Sequence, residues 1–326
     1  VYPHEAVGHY GKDIGRHAVG TGAYVVRTFL PGKSVVLVKN ESYRERTYPA
    51  EGAHGDAEAG YLDDAGRRLP LNQMVVVAFD EDTQAGWNRF LKGRSDLLTM
   101  PPSVVPVAFD TVNKKLLPYL IEKNISLHMH PRLEIFFLAF NMKDPVFGHP
   151  GGEKGLAIRR AICLADDTTW EIQQLYRNTV IPVEGPVLDE LPESDLTWKA
   201  PWVRQPNETI EEAQEAAREV LEEAGFTKES PVPALEIDVL DFPGTRQMHS
   251  EMAKHLKAIG IELKPNFVDW DTMRKRIAEG KTRMWRLSWE ADYPTARSFL
   301  ELFYAPGNPD PIGGSYSNPD YDELYE

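Results

Sequence analysis

Apolar side chains fall into short runs and helical stripes, and these predict most of the elements. Tyr24 to Phe29 and Ser34 to Val38 are β-prone runs separated by Pro31-Gly32. That dipeptide suits the central positions of a type II turn, so residues 19–43 read as a hairpin. The run Met74 to Phe79 predicts a buried strand. A helix is expected from about Asp82 to Lys92, with Asp82 capping its start and Gly93 ending it in the left-handed conformation. Residues 44–68 are rich in Gly, Ala, Asp and Glu without a period, which predicts a long solvent-facing loop.

The second half is patterned differently. Leu133 to Phe140 is almost wholly apolar and predicts a strand covered on both faces. The Gly151-Gly152 loop precedes a helix around Ile158 to Ala165, and residues 182–207 read as mostly irregular. Thr209-Ile210-Glu211-Glu212 has the spacing of a capping box, opening a helix to Ala224 with Gly225 just past it. Leu235, Ile237 and Val239 alternate as a strand; Met248, Met252, Leu256 and Ile259 mark a helix stopped by Gly260; Ile261 and Leu263 begin another strand. Strand, helix and strand at this spacing form a βαβ unit, so this half reads as an α/β lobe.

Composition narrows the function. The chain has 326 residues, which suggests about two domains. With 36 Lys+Arg and 50 Asp+Glu the formal charge is −14, which argues against a nucleic-acid backbone or anionic membrane as partner. Hydrophobic residues at 42% suffice for a sizeable core, and no apolar stretch approaches the roughly 18 residues of a membrane span. Cys163 is the only cysteine and sits in an apolar helical context, so it reads as a small core hydrophobe, with neither an internal disulfide nor a cysteine-based zinc cluster. Val1-Tyr2-Pro3-His4 is neither an initiator Met nor a signal peptide, and the chain is expected to begin inside a longer gene product.

Generic catalytic motifs such as GxSxG and HExxH are missing. Gly148 to Gly155 looks like a phosphate loop only superficially, lacking the GxxxxGK[ST] spacing. His128-Met129-His130 would put two imidazoles on one face of a strand, without an evident third metal ligand. The informative segment is Trp285 to Pro294 with Ser298-Phe299-Leu300 behind it. It joins aromatic surface, a carboxylate and a guanidinium, a set suited to a zwitterionic organic ligand: apolar contact from Trp289, an amine for Asp292 and an anion for Arg286. A core role for Trp285 and Trp289, with Asp292 in a turn, is the plain alternative.

The segment Trp289-Glu290-Ala291-Asp292-Tyr293-Pro294 resembles the Trp-x-Ala-Asp-Tyr-Pro motif of the extracellular solute-binding proteins, family 5, the peptide-binding components of ABC importers. Further segments match in the family's order: Val19 to Tyr24, Lys39 to Tyr43, Phe90 to Asp96, Leu138 to Asn141 with Arg160 to Asp167, Glu222 to Phe226, Leu256 to Ile261 and Ser317 to Asp322. The match spans nearly the whole chain. Departures are Ala23 where the family has Pro, Thr295-Ala296-Arg297 after Pro294, and a longer 44–68 loop.

The resemblance implies an α/β, periplasmic-binding-protein-like (type II, two-lobed) fold with mixed sheets flanked by helices, incomplete at both ends. Residues 1–127 would be the middle segment of lobe I, lacking partner strands, and 128–326 most of lobe II. By the same resemblance Asp292 pairs with a ligand's α-amino group, and the backbones of Ser288 and Glu290 bond an extended peptide as an added strand. Trp289 and Tyr293 of the motif belong to the ligand site, with Trp289 divided between wall and core, and Arg286 is placed opposite a carboxylate. The implied protein is an exported, periplasmic or cell-surface monomer. It carries no cofactor and no catalysis, and it delivers peptides to permease subunits. Nickel chelates, haem, opines or oligosaccharides are other ligands of the family. Rivals are a sensory domain of the same fold attached to a regulator, and a metal-dependent hydrolase using His128 and His130.

Overall fold

The computed structural model describes residues 3–80, 82–195, 197–198, 200–205, 207–241, 244–307 and 311–326. Val1 and Tyr2, and a few positions of the 182–207 stretch read above as irregular, lie outside the described residues. The chain divides into two units, Val1–Val104 and Val105–Glu326, where the sequence reading placed its boundary near residue 127.

The first unit is built on an antiparallel three-stranded sheet, β1 (Tyr24–Leu30), β2 (Ser34–Lys39) and β3 (Met74–Ala78), in that order. The hairpin forms as expected, and Gly32 takes φ 68° at the turn position that needs a left-handed residue. A register shift between Val26 and Thr28 bulges β1 at Arg27. The expectation that Met74 to Phe79 is buried fails: Met74 is 53% and Val76 56% exposed, and across the sheet Phe29 is 57% exposed. The apolar run says that both faces are apolar, and it does not say what covers them. Helix α1 (Thr83–Leu91) follows, its first turn capped by the Asp82 carboxylate, which accepts from the Gln84 N–H at 3.0 Å.

The second unit holds a four-stranded mixed sheet. Its strands are β4 (Glu134–Phe140), β5 (Leu235–Leu240), β6 (Leu263–Val268) and β7 (Met284–Glu290), in the order β4-β7-β5-β6. β4 and β7 run antiparallel, whereas β5 is parallel to both β6 and β7. Helices cover both faces. On one side stand α2 (Gly152–Ala165), α3 (Ile210–Glu223) and α4 (Thr245–Ala258); on the other is α5 (Trp270–Ala278). The alternation along β7 serves this layering: Met284 enters the core under α2 and α4, while Trp285 and Leu287 enter the core under α5.

Local chemistry explains the helices. α3 opens on a complete capping box: the Thr209 hydroxyl accepts from the Glu212 N–H at 3.2 Å, and the Glu212 carboxylate accepts from the Thr209 N–H at 2.8 Å. Its buried stripe of Ala213, Ala217 and Leu221 packs on α2, where Ile158 and Ile162 are fully buried. Each of the buried leucine and isoleucine side chains contributes roughly 2 kcal/mol by leaving water. α2 begins six residues earlier than the apolar pattern suggested, because its first turns are polar and glycine-rich. Those glycines serve packing. A Cβ on Gly148 would lie 2.3 Å from the Met142 carbonyl oxygen, and one on Gly155 would lie 2.7 Å from that of Val146.

Candidate ligand site along the end of the central strand

β7 is the second strand of its sheet, yet its neighbours differ along its length. β5 pairs with it only at Met284 and Trp285, whereas β4 accompanies it from Met284 to Glu290. From Arg286 to Glu290 the described residues therefore give β7 a strand partner on one side alone. Alternate backbone N–H and C=O groups on the other side have no strand to bond, which is the geometry that accepts an extended peptide.

Side chains on one face of this stretch are Arg286, Ser288 and Glu290. Ser288 is exposed, opposite Phe136 of β4, itself 51% exposed and in ring contact with Tyr176 at 5.7 Å. Glu290 is exposed and faces Glu134 across the strands, a like-charge pair that would repel. Arg132 relieves it by reaching both carboxylates, at 3.2 Å from Glu134 and 2.9 Å from Glu290.

Arg286 is committed inside the chain. Its guanidinium donates to the Asp166 carboxylate at 2.9 Å and to that of Glu171 at 2.5 Å, with the Met248 sulfur at 3.1 Å. Burial works against its charge, but the two carboxylates outweigh that and raise its pKa above the ordinary value. Burial also pushes the Glu171 carboxyl up, against the pull of Arg286. Arg286, read above as placed opposite a ligand carboxylate, here receives both of its anions from the chain itself.

Trp289 is partly buried. It lies opposite Ile135 and packs with a cluster that includes Leu188, Leu191 and Phe299. Its indole Nε1–H donates to the Ser298 carbonyl at 2.7 Å. Ser298 is fully buried, and its hydroxyl accepts from the Asp292 N–H at 3.0 Å. Asp292 and Tyr293 are exposed just beyond the strand end, and the Asp292 carboxylate has no ion pair among the described residues. Burial, followed by the charge of Asp292, raises the Glu301 carboxyl, which places a second acidic group near this end. Ser288, Glu290, Asp292 and Tyr293 thus share an accessible strand end, while Trp289 packs on the opposite face and Arg286 ties the strand to Asp166 and Glu171.

Sequence reasoning missed the partners of that support, Asp166, Glu171 and His249. His249 is fully buried, its Nδ1–H donating to the Thr245 carbonyl at 2.8 Å and its Nε2 without a hydrogen-bond partner. Burial is the main reason its pKa falls to about 4, and Arg286 pushes the same way. The other candidates show no site. His128 and His130 are exposed and outside any strand, and among the described residues no group of three His, Cys, Asp or Glu could hold a metal. Burial pushes the Cys163 thiol up to about 11, far from a reactive thiolate. No described helix is long and apolar enough to cross a membrane.

Comparison with known proteins decides the family. Residues 2–311 match the model of the bacterial extracellular solute-binding proteins, family 5, middle region. The chain belongs to this family. Among its relatives are the probable deoxycholate-binding periplasmic protein YgiS of Escherichia coli strain K12 and the periplasmic oligopeptide-binding protein OppA of the same strain. The first is 23% identical over 99% of this chain and 52% of that protein; the second is 22% identical over 94% of this chain and 49% of that protein. The chain therefore spans about half the length of the relatives it matches. Solved structures agree in fold. The DppA protein of Helicobacter pylori in complex with the peptide STSA matches with TM-score 0.70 at 18% identity, over 100% of this chain and 55% of that one. Haemophilus influenzae OppA in complex with RPPGFSPFR matches with TM-score 0.68 at 19% identity, over 98% and 55%. NikA of Brucella suis in complex with Fe(III)-EDTA matches with TM-score 0.63 at 20% identity, over 94% and 55%. The fold is thus that of periplasmic binding proteins, as the motif order implied. These relatives and neighbours are binding proteins, not enzymes.

Proposed function

We propose that this family 5 chain is the ligand-binding part of an exported ABC-importer component that captures peptides and hands them to permease subunits. In this reading the β7 edge from Arg286 to Glu290 receives the peptide backbone as an added strand, with contacts at Ser288 and Glu290. Asp292 pairs with the free α-amino group, and Tyr293 flanks it. Residues 1–127 form the middle segment of one lobe, 128–326 form most of the other, and the ligand is captured outside the cytoplasm. The uncovered apolar sheet of the first unit supports a lobe completed by further chain.

One observation carries the reading: a strand edge without a strand neighbour leads directly to a carboxylate that no cation of the described chain pairs. Main-chain contact reads no side chain, and a charge-assisted bond to an ammonium selects a free N-terminus. Glu134 and Glu290 share the single cation Arg132, and with Glu301 near the same end the net negative charge opposes an anionic ligand and favours an amine. The test is a thermal-shift series with di- to hexapeptides, since ligand that binds only the folded state raises its melting temperature. Free peptides should stabilise the wild type and N-acetylated ones should not, and Asp292→Ala should erase the difference. Equal shifts from free and blocked peptides would remove Asp292 from the site.

A further inference from the structure

The face of β7 that carries Arg286, Ser288 and Glu290 changes character along the strand, and β4 supplies each residue's counterpart in register. Arg286, opposite Leu138, is tied to Asp166 and Glu171. Glu290, opposite Glu134, shares Arg132 with it. Between these two charged stations stands Ser288, small and exposed, opposite Phe136. Phe136 contacts Tyr176, with ring centroids 5.7 Å apart, and with that contact made it is still 51% exposed. An open aromatic ring therefore lies one strand away from the unpartnered edge, with only a serine side chain between them.

Tyr176 is held in place by its backbone. It follows the short helical segment Glu171–Leu175, its N–H donating to the Glu171 carbonyl at 3.1 Å, and the Asn178 N–H donates to the Ile172 carbonyl at 2.9 Å. Arg177 and Asn178 take φ 53° and 59°, two consecutive left-handed residues without a glycine. That conformation is disfavoured for arginine, and the chain adopts it to turn directly behind the ring. Phe136 thus has a fixed aromatic neighbour on one side and the small, exposed Ser288 on another.

We propose, resting on the peptide reading above, that Phe136 and Tyr176 form a subsite for one ligand side chain and select peptides with an aromatic third residue. A free amine at Asp292, beyond the C-terminal end of β7, makes the added peptide run antiparallel to β7. With its first residue opposite Glu290, the α-amino group points on toward Asp292, the second residue falls opposite Trp289 and the third opposite Ser288. The third side chain then lies on the Ser288 face. An added strand lies about 10 Å from β4, twice the strand spacing. Side chains that far apart on one face meet only when both are long and the one between them is short. Aromatic rings pair at roughly 4.5–7 Å between centroids, so an aromatic ring in third position reaches Phe136 over Ser288, and an alanine there does not.

Calorimetric titration of the chain with tetraalanine and the four tetrapeptides that carry one Phe among three Ala tests this. The four isomers have one composition, so only the position of the ring distinguishes them. Ala-Ala-Phe-Ala should bind about tenfold more tightly than each of the other three. Phe136→Thr, at an exposed strand position that Thr suits, should fold normally and bring Ala-Ala-Phe-Ala to the affinity of its isomers. Binding of all the peptides with no positional preference, or with a preference for another position, would overturn the subsite and leave the peptide reading standing. A third-position preference that survives Phe136→Thr would also overturn it. No binding of any tetrapeptide would remove the peptide reading and this inference together.

Discussion

Arg286 in the middle of β7 is tied to Asp166, just past the last turn of α2, at 2.9 Å, across 120 residues of sequence. The same guanidinium holds Glu171, so one side chain fixes the strand that carries the candidate site against the helical layer. Removing it leaves two buried carboxylates without their counter-charge. Arg286→Ala should therefore lower unfolding free energy by about 3–5 kcal/mol, the usual cost of breaking a buried ion pair from one side. Urea titration at neutral pH measures it. If the cost is only that of an exposed pair, below about 1 kcal/mol, the triad does not support the strand.

His249 makes stability depend on pH in a defined direction. An unfolded imidazole titrates near 6.5, and in the fold burial holds this one at about 4. Between these values the unfolded chain binds more protons than the folded one, so stability rises with pH across the window. The contribution is fully present above about pH 6.5 and is lost as pH falls toward 4. Over the whole window it corresponds to about 3 kcal/mol. Comparing urea unfolding of wild type and His249→Gln at pH 7 and pH 4.5 isolates it, because the carboxylates titrate in both. The wild type should lose more stability on acidification than the variant, and equal losses would show that the buried imidazole is not the titrating group.

Strands and capped helices were legible because their signals are local. Thr209 and Glu212 stand three residues apart in sequence and bond each other in the fold, and Pro31-Gly32 turns the hairpin where it should. The accessible strand end was legible through the Trp289 to Pro294 motif. Its support was not: Asp166, Glu171 and His249 lie 120, 115 and 37 residues from Arg286, and no periodicity connects them. The Met74 to Phe79 run misled for another reason, since it reports polarity and leaves burial to whatever packs on it.

That exposed sheet has a measurable consequence. Phe29, Met74 and Val76 present apolar surface of a kind that promotes association and dye binding. Replacing Phe29 and Val76 by Thr should reduce fluorescence enhancement of an apolar dye and reduce self-association in light scattering. Unfolding free energy should change by less than about 0.5 kcal/mol per site, as for surface positions without special contacts. A larger loss would mean that these side chains are packed in solution.

Ser298 links two features of the site. Its carbonyl holds the Trp289 indole at 2.7 Å, and its hydroxyl holds the Asp292 backbone at 3.0 Å. Ser298→Ala keeps the first bond and deletes the second, so it separates packing from positioning. The side chain is fully buried, and losing one neutral hydrogen bond should cost about 1 kcal/mol of stability. Trp289→Phe deletes the other bond and leaves the Asp292 anchor in place. If the hydroxyl positions the carboxylate, Ser298→Ala should also narrow the difference in thermal shift between free and N-acetylated peptides. Trp289→Phe should preserve that difference at a similar stability cost. A purely structural role would lower both melting temperatures and leave the free-to-blocked difference untouched in each variant.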